Sequence, residues 1–579
     1  MPLMSALYVG ASGLQTSQNA LNTTAHNLAN VNTTGYTRQQ VYQGNRELIK
    51  IGESYNNTLQ AGLGVAYTDV RAVRDEFLDN QYRTESGRSA YYSTSYEVVQ
   101  EINTLFGETE GTEFQTSLQN LRDSLENLAK SPADATVQAA LVSTASQFLD
   151  RANAVYTDLQ TYQGNLNQQI KDQVDRINEY AEKIAKLNDE ITKYEVTDIE
   201  SPNDLRDARD QLLDELSAYG KITYREDLYG RVKVFFEGVT LVDEDTTNPM
   251  EAKVLKGDEE SGFVTPVWPR YNDQAVFNNI QPINADIGSD NGSLKALYFS
   301  RGDKSGTWND LNYDPDNPGS NPVYDSSDPN NRYYRYDAYY SEGKVSFTGP
   351  SNFNIAEVQA EFDNLIHNIV TSINDILTDD HTNGSPELFT RITTHREATN
   401  TEYPSGMKCS DIEAKELSIT EAVPAEYQGY MFENATYTTA NLMINKDLLR
   451  QPTLLSDSGN GGFIKDDQTV DYDKAKQLAD LFSTDKTTLN PNTVTKFGYE
   501  NYYIEIVNQY ANVGNTYRSL TQGQEAAVLS IENSRQQVVG VSDNEELTKM
   551  IRFQNAYNAS SRYINTINSM LDTLLTSLT

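Results

Sequence analysis

MPLMSALYVGASGLQTSQNALNTTAHNLANVNTTGYT, residues 1–37, contains no Asp, Glu, Lys or Arg, in a chain of 579 residues that is 22% charged. So long an uncharged stretch marks a surface that is covered, because a buried charge needs a partner whereas an amide or hydroxyl needs only a hydrogen bond. Within it Leu3, Leu7, Leu14, Leu21 and Leu28 recur at intervals of four or seven. That spacing predicts a helix over about 5–30 with a narrow apolar stripe. The far end has the same character. Met550, Phe553, Tyr557, Ile564, Ile567, Leu571, Leu574 and Leu578 follow steps of three and four, with Ser560 in the missing place. From Phe553 to Thr579 only Arg562 and Asp572 carry charge. Ser542 and Glu545, three apart, read as a capping box that starts this helix near Asp543. The two ends therefore predict one coiled-coil domain, built from residues 1–40 and 543–579.

Moving inward, residues 38–110 read as mixed strand and turn. A helix is predicted over about 112–129, stopped by Ser131-Pro132-Ala133-Asp134, which reads as N-cap, N1 proline and N3 acid of the next helix. Leu149, Val155, Leu159, Leu166, Ile170, Val174, Ile177, Ile184, Leu187 and Ile191 keep helical spacing to about Tyr194, a rod approaching about 90 Å at 1.5 Å per residue. Ser201-Pro202-Asn203-Asp204 opens a shorter helix that ends before Gly220. KITYRED, RVKVFFEG and VTLVDED then read as strands. Helical spacing returns over 355–377, through Val358, Phe362, Leu365, Ile369 and Ile373, and again over about 501–538. The fold class is thus multidomain α+β, with long helical coiled-coil or bundle domains formed by both chain ends and β-rich domains inserted in the middle. The divisions are a helical rod of 41–220, 355–384 and 436–542, a β-rich outer part of 221–300, and irregular surface insertions at 301–354 and 385–435.

Composition narrows function. With 46 Lys and Arg against 83 Asp and Glu the net charge is −37, which opposes binding to phosphate backbones and anionic lipid, so neither nucleic acid nor membrane is an expected partner. One Cys excludes an internal disulfide or a cysteine metal cluster. The opening residues lack the basic segment of a Sec-type leader, and no run of about 18 apolar residues occurs. These signals alone predict a cytoplasmic protein.

Catalytic patterns are missing: HExxH, G-x-x-x-x-G-K-[ST], G-x-S-x-G and CxxC do not occur, and His26, His367, His381 and His395 are scattered. Asp375, Asp379, Asp380 and His381 read as a solvated helix end before an Asn383-Gly384 turn. Asp314, Asp316 and Asp325 resemble a calcium loop, but Pro318 takes a ligand position and Asp325 the place of the usual glutamate. Arg301-Gly302-Asp303, an adhesion tripeptide in other settings, reads as a chance turn. No catalytic residue, cofactor or metal is expected.

GLQTSQNALNTTAHNLANVNTTGYTRQQV, Gly13 to Val41, resembles the N-terminal signature of the bacterial flagellar axial proteins, the rod, hook and hook-associated family. Its core is Asn27, Ala29, Asn30, Asn32, Thr33, Gly35 and Tyr36. In physical terms the asparagines and Thr33 satisfy helix C-terminal carbonyls, Gly35 supplies a permissive backbone, and Tyr36 anchors the exit strand. GVSDNEELTKMIRFQNAYNASSRYINTINSMLDTLLTSL resembles the family's closing helix. Tyr36-Thr37-Arg38-Gln39, the long helix after SPADATVQAALVSTASQF, and NDLRDARDQLLDELS at Asn203 to Ser217 are similar to hook-associated members.

The resemblance implies a non-enzymatic structural part that self-assembles as a ring or tube between hook and filament. Its implied partners are further copies of itself, the flagellar hook protein, the second hook-filament junction protein, and an export chaperone on the C-terminal helix. It also implies export through the flagellar type III apparatus without a cleaved leader, which replaces the cytoplasmic expectation. Two other readings stay open: the hook protein itself, favoured by the ELTKMIRFQ stretch, and a secreted adhesin or hydrolase carried by the insertions.

Overall fold

The computed structural model describes residues 2–46, 48–54, 57–107, 114–195, 202–255, 262–277, 283, 285, 287–302, 304–311, 338–341, 344–347, 355–378, 387–392, 413, 436–456, 463–464, 468–485, 487–489 and 495–578. Helix α1 (Pro2–Ala29) leads into a ribbon in which β1 (Gln39–Asn45) pairs antiparallel with β4 (Val65–Ala72), and β2 (Leu48–Ser54) with β3 (Asn57–Gly62). Four helices follow: α2 (Glu76–Phe106), α3 (Phe114–Lys130), α4 (Ala135–Glu195) and α5 (Asn203–Ser217). An antiparallel meander runs β5 (Ile222–Glu226), β6 (Val232–Phe236), β7 (Val239–Asp243), β8 (Thr246–Thr247). Beside it β10 (Thr265–Trp268) lies between β9 (Glu251–Lys253) and β11 (Gln274–Ala275). Then come α6 (Ser293–Arg301), the hairpin of β12 (Ala338–Ser341) and β13 (Lys344–Phe347), and α7 (Ile355–Thr378). β14 (Phe389–Arg391) pairs with β15 (Leu442–Ile444), followed by α8 (Lys446–Arg450) and α9 (Tyr472–Asp480). The short pair β16 (Thr487–Thr488) and β17 (Lys496–Phe497) precedes α10 (Tyr499–Val539) and α11 (Asp543–Leu578). The α+β class, with long helices at both ends and strands between, is as expected.

Helix α4 runs 61 residues because a buried side chain, apolar or small at most places and an amide at Gln163 and Asn188, meets the core every three or four positions from Leu141 to Ile191, and no proline interrupts it. Leu118, Leu121, Leu125 and Leu128 of α3 are fully buried in the same core. Two expectations are corrected here. Ser131 does not cap α4: Asp134 does, its Oδ1 accepting from Thr136 N at 2.7 Å, while Ser131 to Asp134 form the preceding turn. Residues 76–106, read as mixed strand and turn, are a helix capped by Asp75, whose Oδ1 accepts from Phe77 N and Leu78 N. Its first half buries Asp79, Arg83 and Gly87, so apolar periodicity is silent there.

The layout is nested. Phe114 of α3 lies 4.8 Å from Tyr503 of α10, 5.0 Å from Phe362 of α7 and 5.6 Å from Phe148 of α4, ring centre to ring centre. Segments nearly 400 residues apart thus share one aromatic centre. Val232, Val234, Phe236, Leu241 and Val242 of the meander belong to the same apolar cluster as α4, so the strands grow out of the rod's core. Arg301 is 1% exposed, with Nη1 donating to Asn167 Oδ1 and Val264 O, both at 2.7 Å, so the adhesion tripeptide's guanidinium is spent on the core. The Asp379–His381 and Asp314–Asp325 groups lie outside the described residues. Among the described residues no cluster of three metal-ligating side chains occurs.

Helix α7 buries Asp363. Its Oδ1 accepts from Thr439 N and Oγ1, both at 2.6 Å, and its Oδ2 from Trp308 N at 2.9 Å. Burial, against the pull of these donors and of His367, pushes its pKa up to about 6. A folded-state value above the unfolded one, about 3.9, means this group's contribution is fully present below about pH 4 and is lost as the pH rises through about 6, by about 3 kcal/mol. Melting of the wild type and Asp363→Asn between pH 4 and 8 should therefore show a flatter profile in the variant. Parallel profiles contradict the assignment.

Candidate functional site

The two chain ends meet as an antiparallel helix pair. A Cβ built on Gly10 of α1 would lie 2.8 Å from Ile564 Cγ1 of α11, and one on Gly13 would lie 3.7 Å from Ser560 Cβ. Small groups bring the backbones close: among the described residues of α1 the buried positions are Gly10, Ser12, Thr16, Ser17, Ala20, Thr24 and Asn27. Leu7, Leu14, Leu21 and Leu28 flank them and are half-buried. On α11, Met550, Phe553, Tyr557, Ile564 and Leu571 are half-buried and Ile567 buried, whereas Leu574 is 45% exposed. The structure thus places the leucine stripe at the edge of the pair and Leu574 outside it. The side chains of Leu3 and Leu578 lie outside the described residues.

At the base of this pair stands Asn27, with every hydrogen-bonding group engaged. Its Nδ2 donates to Gln39 O at 2.8 Å and to Glu546 Oε2 at 3.1 Å; its Oδ1 accepts from Tyr36 OH at 2.7 Å and Gln39 N at 2.9 Å. One amide therefore joins the end of α1, the strand that leaves it and the start of α11. Tyr36 OH also lies 3.0 Å from His26 Nδ1. Asn30 Nδ2 donates to His26 O near the end of α1, whereas Thr33 Oγ1 donates to the Asn30 side chain, at Oδ1, and not to a helix carbonyl. Gly35 takes φ +80° where the turn passes over Gln211 of α5. Ala29 and Asn32 are exposed. Glu545 pairs with Arg38 at 3.3 Å, and Arg38 N donates to Val539 O, closing the α10–α11 bend.

Below the amide clasp lies a closed ring of alternating charges. Arg74 meets Asp210 at 2.5 Å, Asp210 meets Arg83 at 3.3 Å, and Arg83 meets Asp214 at 2.7 Å. Asp214 meets Arg535 at 2.6 Å, Arg535 meets Asp79 at 2.9 Å, and Asp79 returns to Arg74 at 3.5 Å. Asp207 links ring to clasp, with Oδ2 accepting from Thr37 N at 3.0 Å and Oδ1 facing Arg74 at 3.4 Å. Asn203, Asp207, Asp210 and Asp214 stand four, three and four apart, so one face of α5 holds the N-terminal exit, α2 and the end of α10 together. The likeness of NDLRDARDQLLDELS to hook-associated members points to this helix, and its acidic stripe is the signal that reveals these residues.

Burial raises the Asp79 pKa against Arg74, Arg535 and Arg83, and raises that of Asp207 against the Thr37 N–H and Arg74. Burial opposes the charge on Arg83 and Arg535, but Asp214 with Asp210 for the first, and Asp214 with Asp79 for the second, outweigh it and raise both. Burial raises Tyr36, helped by Asp204, Asp207 and Glu546, so the phenol stays a donor to Asn27. The arrangement fixes the geometry of the joint between the chain ends and the rod.

A helix pair made from both chain ends, rooted in a rod and carrying strands between, is the build of a flagellar axial protein. Residues 7–37 match the flagella basal body rod protein family, 535–577 the flagellar basal body rod FlgEFG protein C-terminal family, and 99–321 the flagellar hook-associated protein FlgK helical domain. Flagellar hook-associated protein 1 of Escherichia coli K12 is 25% identical over 99% of this chain and 100% of its own length; that of Salmonella typhimurium is 26% identical over 97% and 98%. That of Bacillus subtilis 168 is 23% identical over 97% and 96%. The flagellar hook junction protein FlgK from Burkholderia pseudomallei shares the fold, at TM-score 0.51 and 13% identity, over 80% of this chain and 100% of that one. Along nearly its whole length the chain is similar to flagellar hook-associated protein 1. It is a structural component of the flagellum at the hook-filament junction. The hook-protein and adhesin or hydrolase readings are set aside, and the ELTKMIRFQ stretch falls within the match to rod-type C-terminal domains. Among the described residues no helix is long and apolar enough to cross a membrane.

Proposed function

We propose that the chain polymerises through its terminal helix pair into a ring or tube, seated on the hook protein below and receiving the second junction protein above. The observation that carries this reading is the pair itself: two charge-poor helices that cover each other on one side only. Leu7, Leu14, Leu21 and Leu28 keep part of their surface, and Met570, Leu574 and Leu575 of α11 are 51%, 45% and 61% exposed. Such uncharged faces on a chain of net charge −37 suit contact with identical neighbours, since any charged face would meet its own sign. The likeness to the Burkholderia hook junction protein supports the same place in the flagellum. Export through the flagellar type III apparatus, with a chaperone on α11 beforehand, fits charge-poor helices that find their main cover in each other, from opposite ends of the chain.

Leu21→Asp places a charge at the edge of the pair, and isolated flagella from cells carrying it should contain less than a tenth of the normal amount of this protein. Normal incorporation contradicts assembly through this face. A pull-down of the chaperone by a chain lacking residues 540–579 contradicts the chaperone site.

A further inference from the structure

The apolar stripes that flank the α1–α11 interface repeat. Leu7, Leu14, Leu21 and Leu28 stand seven apart, and so do Tyr557, Ile564, Leu571 and Leu578. Sliding one helix past the other by seven residues sets these flanking stripes together again, so their apolar burial alone distinguishes the registers weakly. Residues 1–37 bring no charge that would break the tie. In the observed register Gly10 faces Ile564, Gly13 faces Ser560 and Asn27 faces Glu546.

The last of these contacts differs in kind. Glu546 is 1% exposed, and its carboxylate accepts from Asn27 Nδ2 at 3.1 Å and from Lys549 Nζ at 2.6 Å. Asn27 is also 1% exposed and spends its remaining groups on Tyr36 and Gln39, so it is fixed to the turn and cannot follow a sliding helix. We infer that the Asn27–Glu546 pair is the register key of the terminal helices, the contact that selects one alignment of the two chain ends among heptad-shifted alternatives. A slip of seven residues one way sets Asn27 opposite Phe553; the other way sets Glu546 opposite Ala20. Either leaves a buried polar group without its partner, a bias of about tenfold or more. Buried polar residues act in this way in other coiled coils. The importance of register for the flagellum rests on the self-assembly reading above; the alignment itself can be read separately.

Cysteine pairs in the full chain, with Cys409→Ser, read the alignment in isolated flagella after mild oxidation. Gly13→Cys with Ser560→Cys reports the observed register, because the two Cβ positions lie 3.7 Å apart, within disulfide range. Ala6→Cys or Ala20→Cys with Ser560→Cys reports a slip of seven either way. The first pair should crosslink and the others should not. Adding Glu546→Leu should lower the first yield at least fivefold and raise a slipped product. An unchanged first yield overturns the inference while leaving assembly intact. Absence of the Gly13→Cys/Ser560→Cys chain from flagella, or its presence there without any crosslink, instead contradicts the self-assembly reading and the helix pairing, and the inference falls with them. If Glu546→Leu is not incorporated, the exchange Asn27→Asp with Glu546→Gln decides, since it restores one hydrogen bond between the same two sites. Recovery of at least half the native crosslink supports the key, and no recovery overturns it.

Discussion

Replacing Arg535 by alanine is expected to destabilise the purified chain by about 2–3 kcal/mol, because it removes the cation shared by two largely buried carboxylates, Asp79 and Asp214, and leaves each with a single guanidinium, Arg74 and Arg83. Their side chains are 4% and 14% exposed, so water cannot take over the role of the guanidinium. Urea unfolding of the rod helices measures the loss. Arg535→Lys keeps the charge but not the planar fork that spans two carboxylates, and should recover less than half of it. A loss below about 1 kcal/mol for the alanine variant would mean that the ring is an ordinary solvated surface pair. Because Arg535 lies close before the start of α11, the same variant should also loosen the clasp at Asn27, seen as faster hydrogen exchange in residues 27–39.

Gly292→Val is expected to have an effect at least as large, about 4 kcal/mol or more, and to leave little folded protein. Gly292 opens α6 at φ +92°, and a Cβ there would lie 2.3 Å from Gly220 Cα and 2.4 Å from Tyr219 O. Both obstacles are backbone, so no side-chain rotation relieves them. Gly292 N also donates to Gly87 O at 2.8 Å, which fixes α6 against α2 where the strand-rich part joins the rod. Gly164→Ala provides the contrast: it sits mid-helix in α4 with open space around it, and should stabilise by about 0.5–1 kcal/mol. Comparable expression and melting of Gly292→Val and Gly164→Ala would contradict this account of the joint.

What the sequence revealed, and what it hid, follows from the kind of side chain each element buries. Helix α4 was readable because its buried positions are apolar at regular spacing, and the terminal helices because their lack of charge is rare. Helix α2 was hidden because Asp79, Arg83 and Gly87 occupy its buried face, and a charge pattern takes on meaning only once Asp210, Asp214 and Arg535 stand beside it. The leucines of α1 signal its role, yet its close approaches to α11 fall at Gly10 and Gly13, whose small size is informative only against α11. Asn27 was visible as a motif residue, but its bond to Glu546 spans 519 positions and no local pattern encodes it. Ser131-Pro132 looked like a helix start because proline favours that place, and the actual cap, Asp134, is the next residue able to accept from the first turn.

Electron microscopy of flagella from a strain lacking this gene, with the medium assayed for flagellin, is the measurement to make. Hooks of normal length without filaments, together with flagellin lost to the medium, are the predicted outcome for a part that joins hook to filament. Missing hooks, or filaments of normal length and number, would contradict it.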